Sequence, residues 1–293
     1  MRIYSPSRTE DFLFCPAYYM LKHVHGWQPA TYGKPEIAMA LGRGVGAGLS
    51  FYYTHDRLGV PVPPLADGLQ PPVPDAAVRV GLAATDAALA ELDATGRVCI
   101  SYAQEDLDHV RPRVTRAIAR IIERDPIPRD WTILGTEVTL PDHGYCKIDL
   151  PVRDPKNLAV VDFKTKRYIR ADQLTKERRE LAHKWQQLHY AWAYGEAMGE
   201  QVTRFWIMLV VLEPKFDVHF WPYDIHPEHL KGWIVSARQT WADMDATERG
   251  ERPPVQRPNH FDKYGACEFY DACFTYHYDE GAMVQDYIQV KRK

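Results

Sequence analysis

The sequence lacks the features that define membrane, secreted and broadly basic proteins. No apolar run approaches the roughly 18 residues that a membrane-spanning helix needs, and the N-terminus has no basic segment followed by an apolar one. The 36 Lys and Arg residues are outnumbered by 39 Asp and Glu residues, which gives a net charge of −3. We therefore expect a cytoplasmic protein without a membrane partner, in which any contact with nucleic acid is confined to a local basic groove.

Cysteine is scarce, and its number is odd. A secreted disulfide framework would need an even, closely spaced set, whereas the five cysteines here are dispersed: Cys15, Cys99, Cys146, Cys267 and Cys273. In a reducing compartment we expect them to be thiols or metal ligands.

Helical and strand patterns alternate along the chain. Apolar spacing predicts helices over 76–92, 105–124, 181–198 and 228–248, and strands near 132–140, 145–152, 158–164, 204–213 and 215–223. A further helix is expected over 42–53, where four glycines weaken helix propensity and suggest close packing. Together these elements predict an α/β fold with a parallel or mixed sheet flanked by helices.

We expect three parts that form one compact unit. Residues 1–130 are predicted to be a helical region and residues 131–249 to hold the α/β core. Residues 250–293 form a cysteine-containing segment. The N-terminal helices and this C-terminal segment are expected to pack together beside the core.

The most informative stretch runs from residue 133 to residue 166. It carries Glu137, Asp149 and the run VVDFK on three successive predicted strands. Strand alternation puts Asp162 and Lys164 on one face. Asp162 directly follows apolar residues 159–161, and a carboxylate in such a run is destabilising unless it is paired or bound to a metal. Two carboxylates that share a divalent metal, with a lysine beside them, are what metal-assisted phosphodiester hydrolysis needs.

One stretch is locally basic. It could line a nucleic-acid groove, or it could be a solvated helix face. Its members are Lys164, Lys166, Arg167, Arg170, Lys176, Arg178, Arg179 and Lys184.

Several segments, in this order, resemble the RecB-like branch of the PD-(D/E)XK nucleases, which includes the CRISPR adaptation exonucleases and many phage exonucleases. They are the opening motif at 4–19, Gly144 with Asp149, the run DFKTK at 162–166, Gln186 with Tyr190, and Cys267 with Cys273. The resemblance spans nearly the whole chain. It implies a restriction-endonuclease-like core and a metal-dependent DNA nuclease. It also implies an exonuclease acting on single-stranded or end-containing DNA, in a bacterium or a phage-infected host cell.

By this resemblance, Asp149 and Asp162 would bind Mg²⁺ or Mn²⁺ together with the main-chain carbonyl of Phe163, and Lys164 would be the catalytic lysine. Glu137 lies where the family often has an acidic residue, although it could instead pair with a nearby basic group.

Gln186 and Tyr190 match the family's QxxxY motif. Four residues apart, they stack on one helix face. The resemblance implies that they look toward the metal site and the DNA. The alternative is that Tyr190 packs in the core while Gln186 lies at the surface.

The cysteines match the family only in part. Cys15, Cys267 and Cys273 correspond to three of the four cysteines that hold a 4Fe-4S cluster. His260 could substitute for the fourth, an external thiol or water could complete a cluster, or the site could be empty.

A second departure concerns the metal site. The family usually has a metal-binding histidine where this chain has Gly46. His55 lies nine residues on, and nine helical steps of about 100° turn it roughly 180° away. The departures favour a second hypothesis, a weakly active or inactive DNA-binding or structural subunit that keeps the nuclease fold. RNA as the substrate is a third.

Overall fold

The computed structural model describes residues 2–63, 71–100, 106–182, 184–213, 216–255, 261–262 and 265–290. Short π-helical turns lie at Met20–Val24 and Tyr53–Arg57. The helices are α1 (Pro6–Phe14), α2 (Pro16–Tyr19), α3 (Lys34–Tyr52), α4 (Val73–Ala94), α5 (Val110–Arg124), α6 (Leu174–Ala182), α7 (Trp185–Met198), α8 (Pro227–Glu248), α9 (Tyr270–Phe274) and α10 (Glu280–Met283).

The strands differ widely in length, and the two longest lie side by side in the centre of the main sheet. They are β1 (Trp27–Pro29), β2 (Thr31–Tyr32), β3 (Val98–Cys99), β4 (Thr132–Ile133), β5 (Val138–Leu140), β6 (Cys146–Ile148), β7 (Leu150–Arg153), β8 (Leu158–Tyr168), β9 (Val202–Glu213), β10 (Asp217–Asp224), β11 (Phe261–Asp262), β12 (Gly265–Ala266) and β13 (Tyr287–Gln289).

The main sheet has five strands in the order β10-β9-β8-β7-β4. Strands β8 and β9 are parallel, while the other neighbours are antiparallel. Helices α6 and α7 connect β8 to β9, because parallel neighbours need a long crossover connection. The mixed sheet that the sequence predicts is thereby confirmed.

Helices cover both faces of this sheet, and β8 contributes alternate side chains to the two cores. Val160 joins a cluster with residues of α1, α7 and α8. Val161 joins another with residues of α3, α4 and α5. This alternation follows from the twofold period of a strand, and it explains why the strand reads as continuously apolar up to Asp162.

Glycines allow α3 and α4 to approach closely. A Cβ atom on Gly44 would overlap the Thr85 side chain and would lie 2.8 Å from the Gly81 carbonyl oxygen. On Gly42 or Gly46, in contrast, a Cβ atom would meet nothing within 4 Å. The glycine-rich segment therefore forms a helix because packing against α4 overrides its weak helix propensity.

The described N-terminal and C-terminal parts of the chain pack together, as expected. Strand β1 pairs with β13 in antiparallel fashion. Leu21 and Trp27 from the N-terminal part share an apolar cluster with Phe269 and Met283. None of the described helices is both long and apolar enough to cross a membrane.

The predicted strands 132–140 and 145–152 are wrong in detail, because each is interrupted. Glu137 lies in a bend before β5 with a φ of 50°, and Asp149 lies between β6 and β7. Strands β5 and β6 form a separate two-stranded sheet, whereas β4 and β7 belong to the main sheet. The chain must therefore turn at these two residues. The predicted helix 181–198 is likewise divided, since Lys184 is extended with φ −72° and ψ 141°.

Candidate active site

The pairing of β7 with β8 brings Asp149 opposite Asp162. Leu150 pairs with Val161 in an antiparallel ladder, so the residue before Leu150 faces the residue after Val161. Asp149 Oδ2 accepts a hydrogen bond of 2.8 Å from the Phe163 N–H. Burial, followed by the negative charge of Asp162, raises the pKa of Asp149 to about 7. The Asp162 carboxylate is thus close enough to oppose the ionisation of Asp149.

Lys164 lies on the same side of β8 as Asp162, as strand alternation predicts. Its Nζ is 2.7 Å from Asp162 Oδ2 and donates a hydrogen bond of 2.9 Å to Gln186 Oε1. Asp162 itself is only 2% exposed. Burial alone would lower the pKa of Lys164, but the neighbouring carboxylates, Asp162 above all, outweigh it and raise the pKa. The lysine is therefore held as an ammonium ion.

Gln186 connects Lys164 to Tyr190. Its Nε2 donates a hydrogen bond of 2.7 Å to Tyr190 Oη and lies 3.5 Å from Asp162 Oδ1. Tyr190 is buried, and burial together with the charge of Asp162 raises its pKa. The Tyr190 ring packs in the core, and its hydroxyl is part of the polar network around Lys164 and Asp162.

Glu137 forms an ion pair with Lys147, with 2.7 Å between Oε1 and Nζ. Pairing with a nearby basic group is one of the two alternatives that the sequence allowed for Glu137. The Glu137 N–H also donates to the Asp149 carbonyl, at 2.8 Å. The sequence did not single out Lys147. The sequence signal that could have identified Lys147 is its position two residues before Asp149. Strand alternation places residues two apart on the same face.

These residues line a groove of about 620 Å³. Helices α3 and α4 form its other wall, through small residues and one ion pair. Gly46 belongs to this wall, with open space where a side chain would be. The position aligned with the family's histidine therefore faces the groove. His55 lies against Phe51 and contacts the Val60 carbonyl, away from this wall.

Asp149 and Asp162 suit a divalent ion. Asp162 Oδ2 is buried, and the Lys164 ammonium 2.7 Å away is its charged neighbour. Two carboxylates and a main-chain carbonyl can hold Mg²⁺, which keeps several of its water ligands. Among the described residues, however, no three His, Cys, Asp or Glu side chains have an arrangement that could hold a metal ion. Glu137, drawn to Lys147, does not complete such a set.

The three cysteines of the resemblance lie near one another. Burial raises the pKa of Cys267 to about 11, and interaction with Cys273 and Cys15 adds to this rise. The Tyr278 hydroxyl donates a hydrogen bond of 3.4 Å to Cys273 Sγ. Within the described part of the chain these thiols do not form a metal-binding set, and His260 lies outside the described residues.

The basic stretch is largely neutralised. Five of its eight members pair with carboxylates: Lys164 with Asp162, Lys166 with Glu177, Arg167 with Glu213, Arg170 with Asp172, and Lys176 with Glu180. The sequence-based groove hypothesis for this stretch finds little support. Of this stretch, Lys164 alone among the described residues lines the groove, and the other groove cations there are Arg43 and Lys147.

Comparison with known proteins agrees with this geometry. The family model of the PD-(D/E)XK nuclease superfamily matches residues 3–274. The chain belongs to this superfamily, whose members are nucleases that generally use divalent ions such as Mg²⁺. No curated protein matches the chain. Among solved structures, the chain is similar to a protein from Eubacterium rectale described as a "putative exonuclease", with 14% identity, a TM-score of 0.47, and coverage of 99% of this chain and 90% of that one.

Proposed function

We propose that this protein is a divalent-metal-dependent deoxyribonuclease that degrades single-stranded DNA from its ends in the cytoplasm. The observation that carries the proposal is the convergence of Asp149, Asp162 and Lys164 at one end of a groove. Membership of the nuclease superfamily supports phosphodiester hydrolysis as the reaction. End dependence rests on the sequence resemblance.

The residues divide the chemistry between them. Asp149, Asp162 and the Phe163 carbonyl would hold Mg²⁺ or Mn²⁺, which supplies Lewis acidity toward the scissile phosphate. Gln186 Oε1 is a second acceptor for the Lys164 ammonium besides Asp162, and the Tyr190 hydroxyl in turn accepts a hydrogen bond from Gln186. Lys164 can then orient the attacking water or offset negative charge that develops on the phosphate.

The preference for an unpaired strand as substrate rests on the sequence resemblance. The carboxylates lie between the wall formed by α3 and α4 and the helix that carries Gln186 and Tyr190. RNA is the alternative substrate, and no described contact selects against it.

The test is a nuclease assay on end-labelled single-stranded and double-stranded DNA with Mg²⁺, with Mn²⁺ and with chelator. We expect cleavage of the single strand that needs the metal and is lost in Asp162→Ala. Asp224→Ala is the matched control, since Asp224 is an exposed carboxylate on the same sheet that pairs with Arg204. Undiminished cleavage by folded Asp162→Ala protein would rule out this site.

A second candidate is a non-catalytic DNA-binding subunit. The observation in its favour is Gly46, which leaves the groove wall without the imidazole that the family usually has there. Wild-type protein that binds single-stranded DNA but cleaves none with any divalent ion would favour this candidate.

A further inference from the structure

Each cation that lines the groove, among the described residues, is paired with a carboxylate that also lines it. Lys164 is paired with Asp162, at the bottom of the proposed catalytic site. The other two pairs, Arg43 with Glu91 at 2.8 Å and Lys147 with Glu137 at 2.7 Å, have no part in the chemistry described above.

These two pairs are exposed, unlike the third. The Arg43 side chain is 62% exposed and that of Lys147 is 51% exposed, against 25% for Lys164. Exposed ion pairs contribute little stability. A phosphate group can therefore replace either carboxylate at small cost, and with Arg43 it can form two parallel hydrogen bonds.

The two cations come from different walls of the groove. Arg43 lies on α3, whereas Lys147 lies on β6, two residues before Asp149. Arg43, Ala88 and Glu91 also line a second cavity, of about 430 Å³. A DNA strand that leaves the groove past Arg43 therefore has space in which to continue.

We propose that Arg43 and Lys147 bind backbone phosphates of a single DNA strand on either side of the scissile phosphate. In the free protein Glu91 and Glu137 occupy these cations and must be displaced by the substrate. The proposal rests on the proposed function, because it takes single-stranded DNA as the ligand. The competing explanation is that both are ordinary surface ion pairs.

The chain offers a matched control for each pair. Arg111 pairs with Asp86 of the same helix α4, and its side chain is 57% exposed, but neither residue lines the groove. Lys231 pairs with Glu228 on α8, far from β6 in the chain. Variants of Arg111 and Lys231 measure the general effect of removing one positive charge.

The experiment measures binding of a fluorescently labelled single-stranded DNA oligonucleotide by anisotropy, in chelator and over a salt series. We expect the dissociation constants of Arg43→Ala and Lys147→Ala to be about three- to tenfold higher than those of their controls, Arg111→Ala and Lys231→Ala respectively. Each should also reduce the slope of log affinity against log salt by about 0.7, the value per lost contact with a single strand. Glu91→Gln and Glu137→Gln should tighten binding severalfold, because they remove the competing carboxylates.

The proposal is overturned if the groove variants weaken binding no more than their controls, if the two glutamine variants weaken it, or if wild-type protein does not bind the oligonucleotide. Because chelator excludes cleavage, the result does not depend on catalysis. Protein that never cleaves but binds through Arg43 and Lys147 would contradict only the proposed function. If the protein cleaves DNA but neither Arg43→Ala nor Lys147→Ala weakens binding of the oligonucleotide more than its control, only this inference is contradicted.

Discussion

The Lys164 ammonium lies 2.7 Å from Asp162 Oδ2, an oxygen that is otherwise buried without a hydrogen-bond partner. The lysine and a divalent ion are thus drawn to the same carboxylate. Gln186 gives the ammonium a second partner at 2.9 Å, so Lys164 can stay in place when Asp162 binds an ion. The site therefore holds its lysine through a residue that need not contact the metal.

We expect Lys164→Ala to lower turnover by about 10²-fold or more, the range seen when one stabilising donor is lost. Metal affinity should be kept or should rise, because the substitution removes a cation that competes for Asp162. Single-turnover cleavage and calorimetric titration with Mg²⁺ or Mn²⁺ measure the two effects. Lys166→Ala is the control, since Lys166 lies two residues further along β8 and pairs with Glu177. Loss of metal binding in a folded Lys164→Ala protein would contradict this account.

The central residues of the site could be predicted because their spacing is local. Asp162 and Lys164 are two residues apart on a strand, and Gln186 and Tyr190 are about one helical turn apart. The period of each element alone puts each pair on one face. The observed contacts within both pairs agree with this reasoning.

The walls of the groove could not be predicted in the same way. Arg43 and Glu91 are 48 residues apart on different helices, so only tertiary packing brings them together. The Lys147–Glu137 pair depends on the β5–β6 hairpin and on the positive φ of Glu137. Alternation of apolar residues does not reveal where a chain leaves one sheet for another, and for this reason the predicted strand boundaries at Glu137 and Asp149 are wrong.

The two kinds of glycine in α3 should respond oppositely to alanine. Gly46→Ala should stabilise the protein by about 0.5–1 kcal/mol, because the new methyl group meets open space and alanine has the higher helix propensity. Gly44→Ala should destabilise it by about 1–3 kcal/mol, because the methyl group would overlap Thr85 and crowd the Gly81 carbonyl. Urea unfolding measures both. Equal effects of the two substitutions would show that α3 and α4 are not in close contact at Gly44.

Restoring an imidazole to the groove should improve metal binding. Gly46→His is expected to raise the affinity for Mn²⁺ more than that for Mg²⁺, because imidazole suits transition ions better than Mg²⁺. Gly42→His is the control, since Gly42 also lines the groove with open space around it but lies one turn earlier. Calorimetry measures the four affinities. If Gly46→His and Gly42→His gain the same affinity for metal ions, position 46 has no special relation to the metal site.

We expect the cysteine-containing segment to hold no iron–sulfur cluster and to be stabilised by side-chain packing. We expect protein purified without oxygen to be colourless and free of iron, and Cys273→Ser to change the free energy of unfolding by less than about 1 kcal/mol. A serine oxygen can accept the hydrogen bond that the Tyr278 hydroxyl now donates to Cys273. Cys99→Ser serves as the control for a half-buried thiol elsewhere. Iron and sulfide that disappear in Cys273→Ser would establish a cluster, and stoichiometric zinc would favour a structural site with His260 as a ligand.

The buried His189 should make stability fall in mild acid. Its side chain lies among Trp192, Trp233 and Trp241 and donates one ring N–H to the His143 carbonyl, while its Nδ1 has no partner. Burial is the main reason that its pKa is lowered from 6.5 to about 4. Between these pH values His189 is protonated in the unfolded chain but stays neutral in the folded protein. The free energy of unfolding therefore decreases as the pH falls from 6.5 toward 4, and this decrease levels off below pH 4.

A shift of this size corresponds to about 3 kcal/mol. Urea unfolding followed by tryptophan fluorescence between pH 4 and pH 8 measures the loss. Other histidines contribute to the total, so the relevant quantity is the difference between wild type and His189→Gln, whose stability should depend less on pH in this window. His219→Gln, at a half-buried histidine 3.5 Å from Asp217, is the control. If His189→Gln and wild type show the same pH dependence, His189 is not a source of the acid sensitivity, and the tryptophan cluster tolerates a charged imidazole.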